Sequence, residues 1–229
     1  MAGHLDEFIK FVLRHRSPPP PPLLPETKSV RLLNFESTPV CIQHLPAIST
    51  FTIFEGSAPV EDLRARLQEI ITANPWLSGR LVRRPGQDLT LEYPKAASKP
   101  SPACLAGVGL SAALDELPAG TVDLGASYGD LVDSIFKTRA LVPIGSGLVN
   151  VAGDGGKLFR VTVIHGAVRD FPCFALVVSM SHAFVDGHSY YSVLNMLSRA
   201  APVISLNPER KHMFTSLLPK LVSEDGFAM

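Results

Sequence analysis

The stretch Phe171–Met180, apolar without a break over FALVV at 174–178, is the strongest constraint on how this chain can fold. Successive side chains of a strand point to opposite faces, so consecutive apolar residues require cover on both sides. This segment is predicted to be a central strand. The residues that follow, SHAFVDGHSYYSVLNMLSRA, are read as a turn and then a helix starting near Gly187 or His188, with Tyr191, Leu194, Met196 and Leu197 facing the sheet. A side chain at that junction stands on a rigid support. His182 is that side chain.

Leu148–Ala152 and Lys157–Ile164 are two further strand-like runs, joined by turns at Gly153–Gly156 and His165–Asp170. Links this short predict an antiparallel meander. Upstream, the β-branched and aromatic run Ser49–Phe54 predicts a strand. Val60–Ala73 predicts a helix with Leu63, Leu67, Ile70 and Ile71 on one stripe, ended by Pro75. Trp76–Arg84 reads as extended, and Leu89–Tyr93 as a second strand. The Ala-, Ser-, Pro- and Gly-rich region Pro94–Gly120 reads as loop with one short helix. Ser127 is placed to cap a helix over Tyr128–Phe136. After Ala201 the pattern is mixed, with a short helix over Phe214–Val222. The fold class is α+β: a mixed, largely antiparallel sheet covered by helices.

Two domains are drawn. Residues 1–26 hold an amphipathic helix, with Leu5, Phe8, Ile9 and Val12 on one face, and a stiff spacer over Pro18–Pro22 that continues through Leu23, Leu24 and Pro25. Residues 27–229 form the folded body. Of the 229 residues 46% are apolar and 18% charged, enough to bury a core. With 21 basic and 21 acidic side chains the formal charge is zero, which excludes electrostatic capture by nucleic acid or an anionic membrane. No apolar run approaches the roughly twenty residues of a spanning helix. Cys41, Cys104 and Cys173 form neither a metal pair nor an even disulfide set, so a reducing, cytoplasmic location is expected. Cys173 reads as a small buried hydrophobe.

The chemistry centres on Ser181-His182-Ala183-Phe184-Val185-Asp186-Gly187. A nucleophile that attacks an acyl carbonyl must shed a proton, and imidazole is the side chain suited to take it near neutral pH. Asp186 could orient the histidine as a triad carboxylate. The preferred reading holds it in the turn by an arginine and backbone N–H groups, with Gly187 supplying a conformation that a Cβ would hinder. A metal site from His182, Asp186 and His188 is disfavoured, because helix onset aims His188 away and no second cluster exists. Gly153–Lys157 (GDGGK) lacks P-loop spacing and reads as a hairpin turn.

His-x-x-x-Asp-Gly between a core strand and a helix resembles the signature of the acyltransferase superfamily of chloramphenicol acetyltransferase, BAHD enzymes and condensation domains. LQEIITANPWLSGRL, from Leu67 to Leu81, is similar to the helix and Pro-containing turn of the same superfamily. Together the similarity spans roughly Arg31 to Ala200. The resemblance implies that His182 is the general base and that Asp186 pairs with an arginine, for which Arg80 is the first candidate and Arg31 a competitor. It implies acyl-CoA or another acyl thioester as co-substrate, no permanently bound cofactor, and an alcohol or amine acceptor. Ser181 stands where condensation domains tend to carry a second histidine, which favours the CoA-dependent enzymes. The Asp-Phe-Gly-Trp-Gly motif of the second half of two-domain members is absent. The expectation is therefore the N-terminal half of such an enzyme, completed by a C-terminal half or by a homotrimer. The alternative is a non-catalytic binding or scaffold module on the same half-fold.

Overall fold

The computed structural model describes residues 27–38, 40–85, 87–95, 114–145 and 157–213. The expected N-terminal helix and proline spacer, the strand at 148–152, the GDGGK turn, the helix at 214–222 and Cys104 lie outside these residues. Seven strands are described: β1 (Thr27–Arg31), β2 (Ile48–Glu55), β3 (Arg80–Val82), β4 (Thr90–Pro94), β5 (Leu114–Leu117), β6 (Phe159–Val168) and β7 (Phe171–Met180). With them are α1 (Val60–Ala73), α2 (Tyr128–Phe136) and α3 (Gly187–Met196), a π-helical turn at Val40–His44 and a 3-10 turn at Pro75–Ser78.

The apolar run at Phe171–Met180 does form an interior strand. The main sheet has the order β2-β7-β6-β5, with β7 antiparallel to β2 and β6, while β5 runs parallel to β6. Alternation along β7 feeds two cores. Val178 and Met180 face a cluster with Ile70, Trp76, Phe184 and Tyr190, whereas Ala175 and Val177 face one with Leu131, Ile135 and Ile164. A second sheet, β1-β4-β3, packs Leu81 and Leu91 into the first cluster. The class is α+β, mixed and largely antiparallel, as expected.

Several expectations change. β5 lies inside the region read as loop. Its Leu114 and Leu117 are buried, while Asp115 pairs with Lys157 and Arg160, and Glu116 with Arg64 and His165. The turn read as His165–Asp170 contracts to Arg169 and Asp170, both left-handed with φ of 50° and 69°, because β6 runs on to Val168. His165 is therefore in a strand, 3.1 Å from Glu116. The stretch from Trp76 starts as a 3-10 turn and becomes extended at Arg80. On α3, Met196 and the following Leu197 are buried and Leu194 packs partly against the core, as expected, but Tyr190 and Val193 are buried while Tyr191 is exposed. The Tyr190 hydroxyl explains why that ring turns inward: it donates to the Val178 carbonyl at 2.9 Å and meets Thr50 Oγ1 at 2.8 Å.

Residues after α3 return as an extended strap. Buried Asn74, in the turn after α1, donates to the Ile204 carbonyl at 2.9 Å and accepts from the Leu206 N–H at 2.7 Å. Arg66 on α1 donates to the carbonyls of Met196, Ser198 and Ala201. These bonds satisfy backbone groups that no ladder serves.

Candidate active site

Beyond Met180 the Ser181 N–H still donates to the Leu158 carbonyl at 2.8 Å, and then the chain turns. Ser181 Oγ accepts from the Ala183 N–H at 3.2 Å, a local bond of the kind that favours turns. Ala183, Phe184 and Val185 are 0%, 1% and 4% exposed, and the Phe184 ring meets Trp76 edge-on at 5.8 Å. Three apolar anchors thus pin the loop to the core and leave His182 half-buried just before them. Its backbone carbonyl accepts a weak hydrogen bond from Cys41 Sγ at 3.7 Å, out of the π-helical turn. Burial, with the Glu36 charge behind it, pushes the Cys41 thiol up, which makes it a packing group and not a nucleophile.

An arginine does hold the loop, but not one of the expected pair and not through Asp186. Arg210 Nη2, on the returning strap, donates to the Phe184 carbonyl at 2.7 Å. The same guanidinium forks onto Glu36, at 2.9–3.2 Å, and Glu36 also accepts from the Leu33 N–H at 2.7 Å. Arg80 instead pairs at 3.1 Å with Glu92, a carboxylate 1% exposed that Arg84 approaches from the other side at 2.6 Å. Two cations are what let a carboxylate stay in that core. Arg31 pairs with Asp88 at 2.8 Å on the surface.

Asp186 is exposed and caps α3, its Oδ1 accepting from the Ser189 N–H at 2.8 Å. Desolvation alone would raise its carboxyl, but hydrogen bonds from Ser189 and the nearby His188 outweigh it and hold the group below its ordinary value. Gly187 departs from expectation: its φ is not left-handed, and an added Cβ would meet open space. It opens the helix without being required by sterics. His188 is exposed, and among the described residues no three His, Cys, Asp or Glu are grouped to hold a metal.

A cavity of about 510 Å³ lies between β2, α2 and residues 138–144, and His182 is not among its lining residues. Arg210, Glu36 and Cys41 had no sequence signal, because Arg210 and Glu36 stand 174 residues apart. Asn74 had one, since an Asn-Pro step after a helical stripe marks a helix end.

No protein-family model matches the chain, and no curated protein matches it significantly. Solved structures do. The chain is similar to polyketide synthase associated protein 5 from Mycobacterium tuberculosis at 14% identity and a TM-score of 0.50, covering 87% of this chain and 42% of that one. It is similar to the selenomethionine form of CT at 14% identity and a TM-score of 0.52, covering 88% and 40%. F. sporotrichioides TRI101, crystallised with coenzyme A and T-2, matches at 12% identity and a TM-score of 0.48, covering 79% and 42%. The chain thus spans about two-fifths of the length of these neighbours. Among the described residues no helix is long and apolar enough to cross a membrane. Two packed sheets, an interior strand that ends at a histidine turn, and the two neighbours at TM-scores of 0.50 and 0.52 together show that the chain has the fold of those solved structures, mixed and largely antiparallel.

Proposed function

We propose that this chain is the histidine-bearing half of an acyltransferase that moves an acyl group from a thioester, acyl-CoA or carrier-protein-bound, to a hydroxyl or amine. His182 is the general base. A ring nitrogen takes the acceptor's proton as its oxygen or nitrogen bonds to the thioester carbonyl carbon; the C–S bond breaks and the thiolate leaves, taking up a proton. Asp186 and Arg210 do not touch the reacting atoms. They hold the loop on which the imidazole stands.

The observation that carries this reading is the way the loop is fastened. Ala183, Phe184 and Val185 are buried, Arg210 grips the Phe184 carbonyl and Asp186 caps α3, while His182 alone is left half-buried at the end of an interior strand. A core histidine with no task needs no such mounting. Because the chain spans about two-fifths of its neighbours, the complete site is assigned to this half together with a C-terminal half or further copies.

Thioester consumption, followed with a panel of acyl-CoAs and simple alcohols and amines in each assembly the protein forms, tests the reading. His182→Ala is expected to lower turnover by roughly a hundredfold or more, the scale of a lost general base. Equal activity of wild type and variant would remove His182 as the base, and inertness of both in every assembly would instead favour the binding or scaffold module.

A further inference from the structure

The cavity between β2 and α2 has a chemistry of its own. Phe51 and Val177 form its floor, and Tyr128, Val132 and Phe136 on α2 form one wall. Its volume of about 510 Å³ falls in the range of small-molecule sites. Three of the hydroxyls around it are already engaged. Ser49 Oγ meets Ser179 Oγ at 2.7 Å, Thr50 Oγ1 meets the Tyr190 hydroxyl at 2.8 Å, and Thr138 Oγ1 donates to the Ile135 carbonyl at 2.7 Å. A charged ligand would lose its water there and meet no opposite charge among the lining residues.

One end of the cavity lies beside the histidine turn. The β2–β7 register ends at the pair Ile48 and Met180, just before Pro46 and Ala47 in one direction and Ser181 and His182 in the other. Pro46 and Ala47 both line the cavity. The π-helical turn just before them, Val40–His44, supplies the Cys41 thiol that touches the His182 carbonyl. Across the opening, Pro143 and Ile144 lead to Gly145, which sits beside the Gln43 carbonyl of the same turn.

We propose that this cavity receives the hydrocarbon tail of the acyl donor, so that the protein selects a medium- or long-chain acyl group over acetyl. This deepens the acyl-transfer reading and rests on it for the identity of the ligand. Of the reaction's parts, an acceptor carries a hydroxyl or amine and the thiol carrier is polar, whereas the tail alone matches a lining that is mostly hydrocarbon, with Phe51, Val132, Phe136, Ile144 and Val177 around it.

Calorimetric titration with acetyl-CoA and octanoyl-CoA, run beside turnover with the same donors, tests the proposal. Octanoyl-CoA is expected to bind tighter by up to roughly a thousandfold, at about tenfold for each two of its six additional methylenes buried. Val132→Phe, which fills the cavity from α2, should leave octanoyl-CoA binding no better than acetyl-CoA, whereas Val132→Ala should keep the chain-length gain. His182→Ala should keep it too, while stopping turnover. Equal affinity for the two donors, or a chain-length gain that survives Val132→Phe, overturns the cavity proposal and leaves acyl transfer standing if acetyl is turned over. A gain abolished by Val132→Phe in a protein that turns over no donor supports the cavity and removes the transfer reading. Self-association dissolved by Val132→Phe, with donor binding unaffected, would assign this face to a second copy and overturn the proposal.

Discussion

Phe184 fastens the histidine turn twice, its ring against Trp76 and its carbonyl to Arg210. The Arg210 and Glu36 side chains are 12% and 16% exposed, so removing either strands a poorly hydrated charge. Arg210→Met is expected to lower stability by about 3 kcal/mol, the scale of a broken buried pair. A urea double-mutant cycle with Glu36→Gln should return a coupling energy; additivity of the two single changes would show that the fork contributes nothing. Asp186→Ala removes a helix cap and should cost about 1 kcal/mol at neutral pH. Because folding depresses this carboxyl, its contribution is present above the ordinary carboxylate pKa of about 3.9 and is lost as the pH falls through the lower folded value. The stability gap between wild type and Asp186→Ala, measured by urea unfolding at neutral and strongly acidic pH, is therefore expected to narrow with acid. A gap independent of pH would show that the carboxylate charge does not matter to the cap.

The hairpin of β6 and β7 places the histidine by setting where its interior strand ends. Its two-residue turn holds Arg169 and Asp170 at positive φ, a conformation that costs L-residues roughly 1–2 kcal/mol each. Asp170→Gly should relieve part of this and raise stability by about 0.5 kcal/mol or more, read as a higher thermal midpoint. A lower midpoint would mean that the aspartate side chain itself supports the turn. The link from α1 to β3 has the opposite problem. A Cβ on Gly79 would lie 2.6 Å from Leu91 Cδ1 and 2.9 Å from the Trp76 carbonyl, so only glycine fits where the two sheets' supporting segments close.

At the scale of the whole molecule, the main sheet joins two clusters that share β7. Val177 points into one and Val178 into the other, and both are fully buried. Truncating either to Ala should cost about 2 kcal/mol. If the sheet makes one cooperative unit, both variants shift a single calorimetric transition by similar amounts. Two separate transitions, each responding to one variant, would show that the clusters unfold independently. The returning strap adds to this unity, since Arg66, Asn74 and Glu36 bind it to α1, to the turn after α1 and to the segment after β1.

What the sequence determined by itself was whatever is written within a few residues. The helix at Val60–Ala73 follows from its apolar stripe, the helix at Tyr128–Phe136 from Ser127 and the residues it caps, and the interior strand from the unbroken apolar run Phe174–Val178. The same local evidence put His182 at the strand's end. Tertiary structure alone decided the partners. β5, read as loop, is a strand because it pairs in parallel with β6, with Lys157, Arg160, Arg64 and His165 meeting its two carboxylates. Tyr190 was chosen over Tyr191 to face the sheet by hydrogen bonds to Val178 and Thr50. The arginine on the histidine loop proved to be Arg210, because Arg80 was already committed to a buried Glu92. Periodicity and capping act within one or two turns of chain and leave a readable pattern, whereas charge pairing and burial between remote segments leave none until the chain has closed on itself.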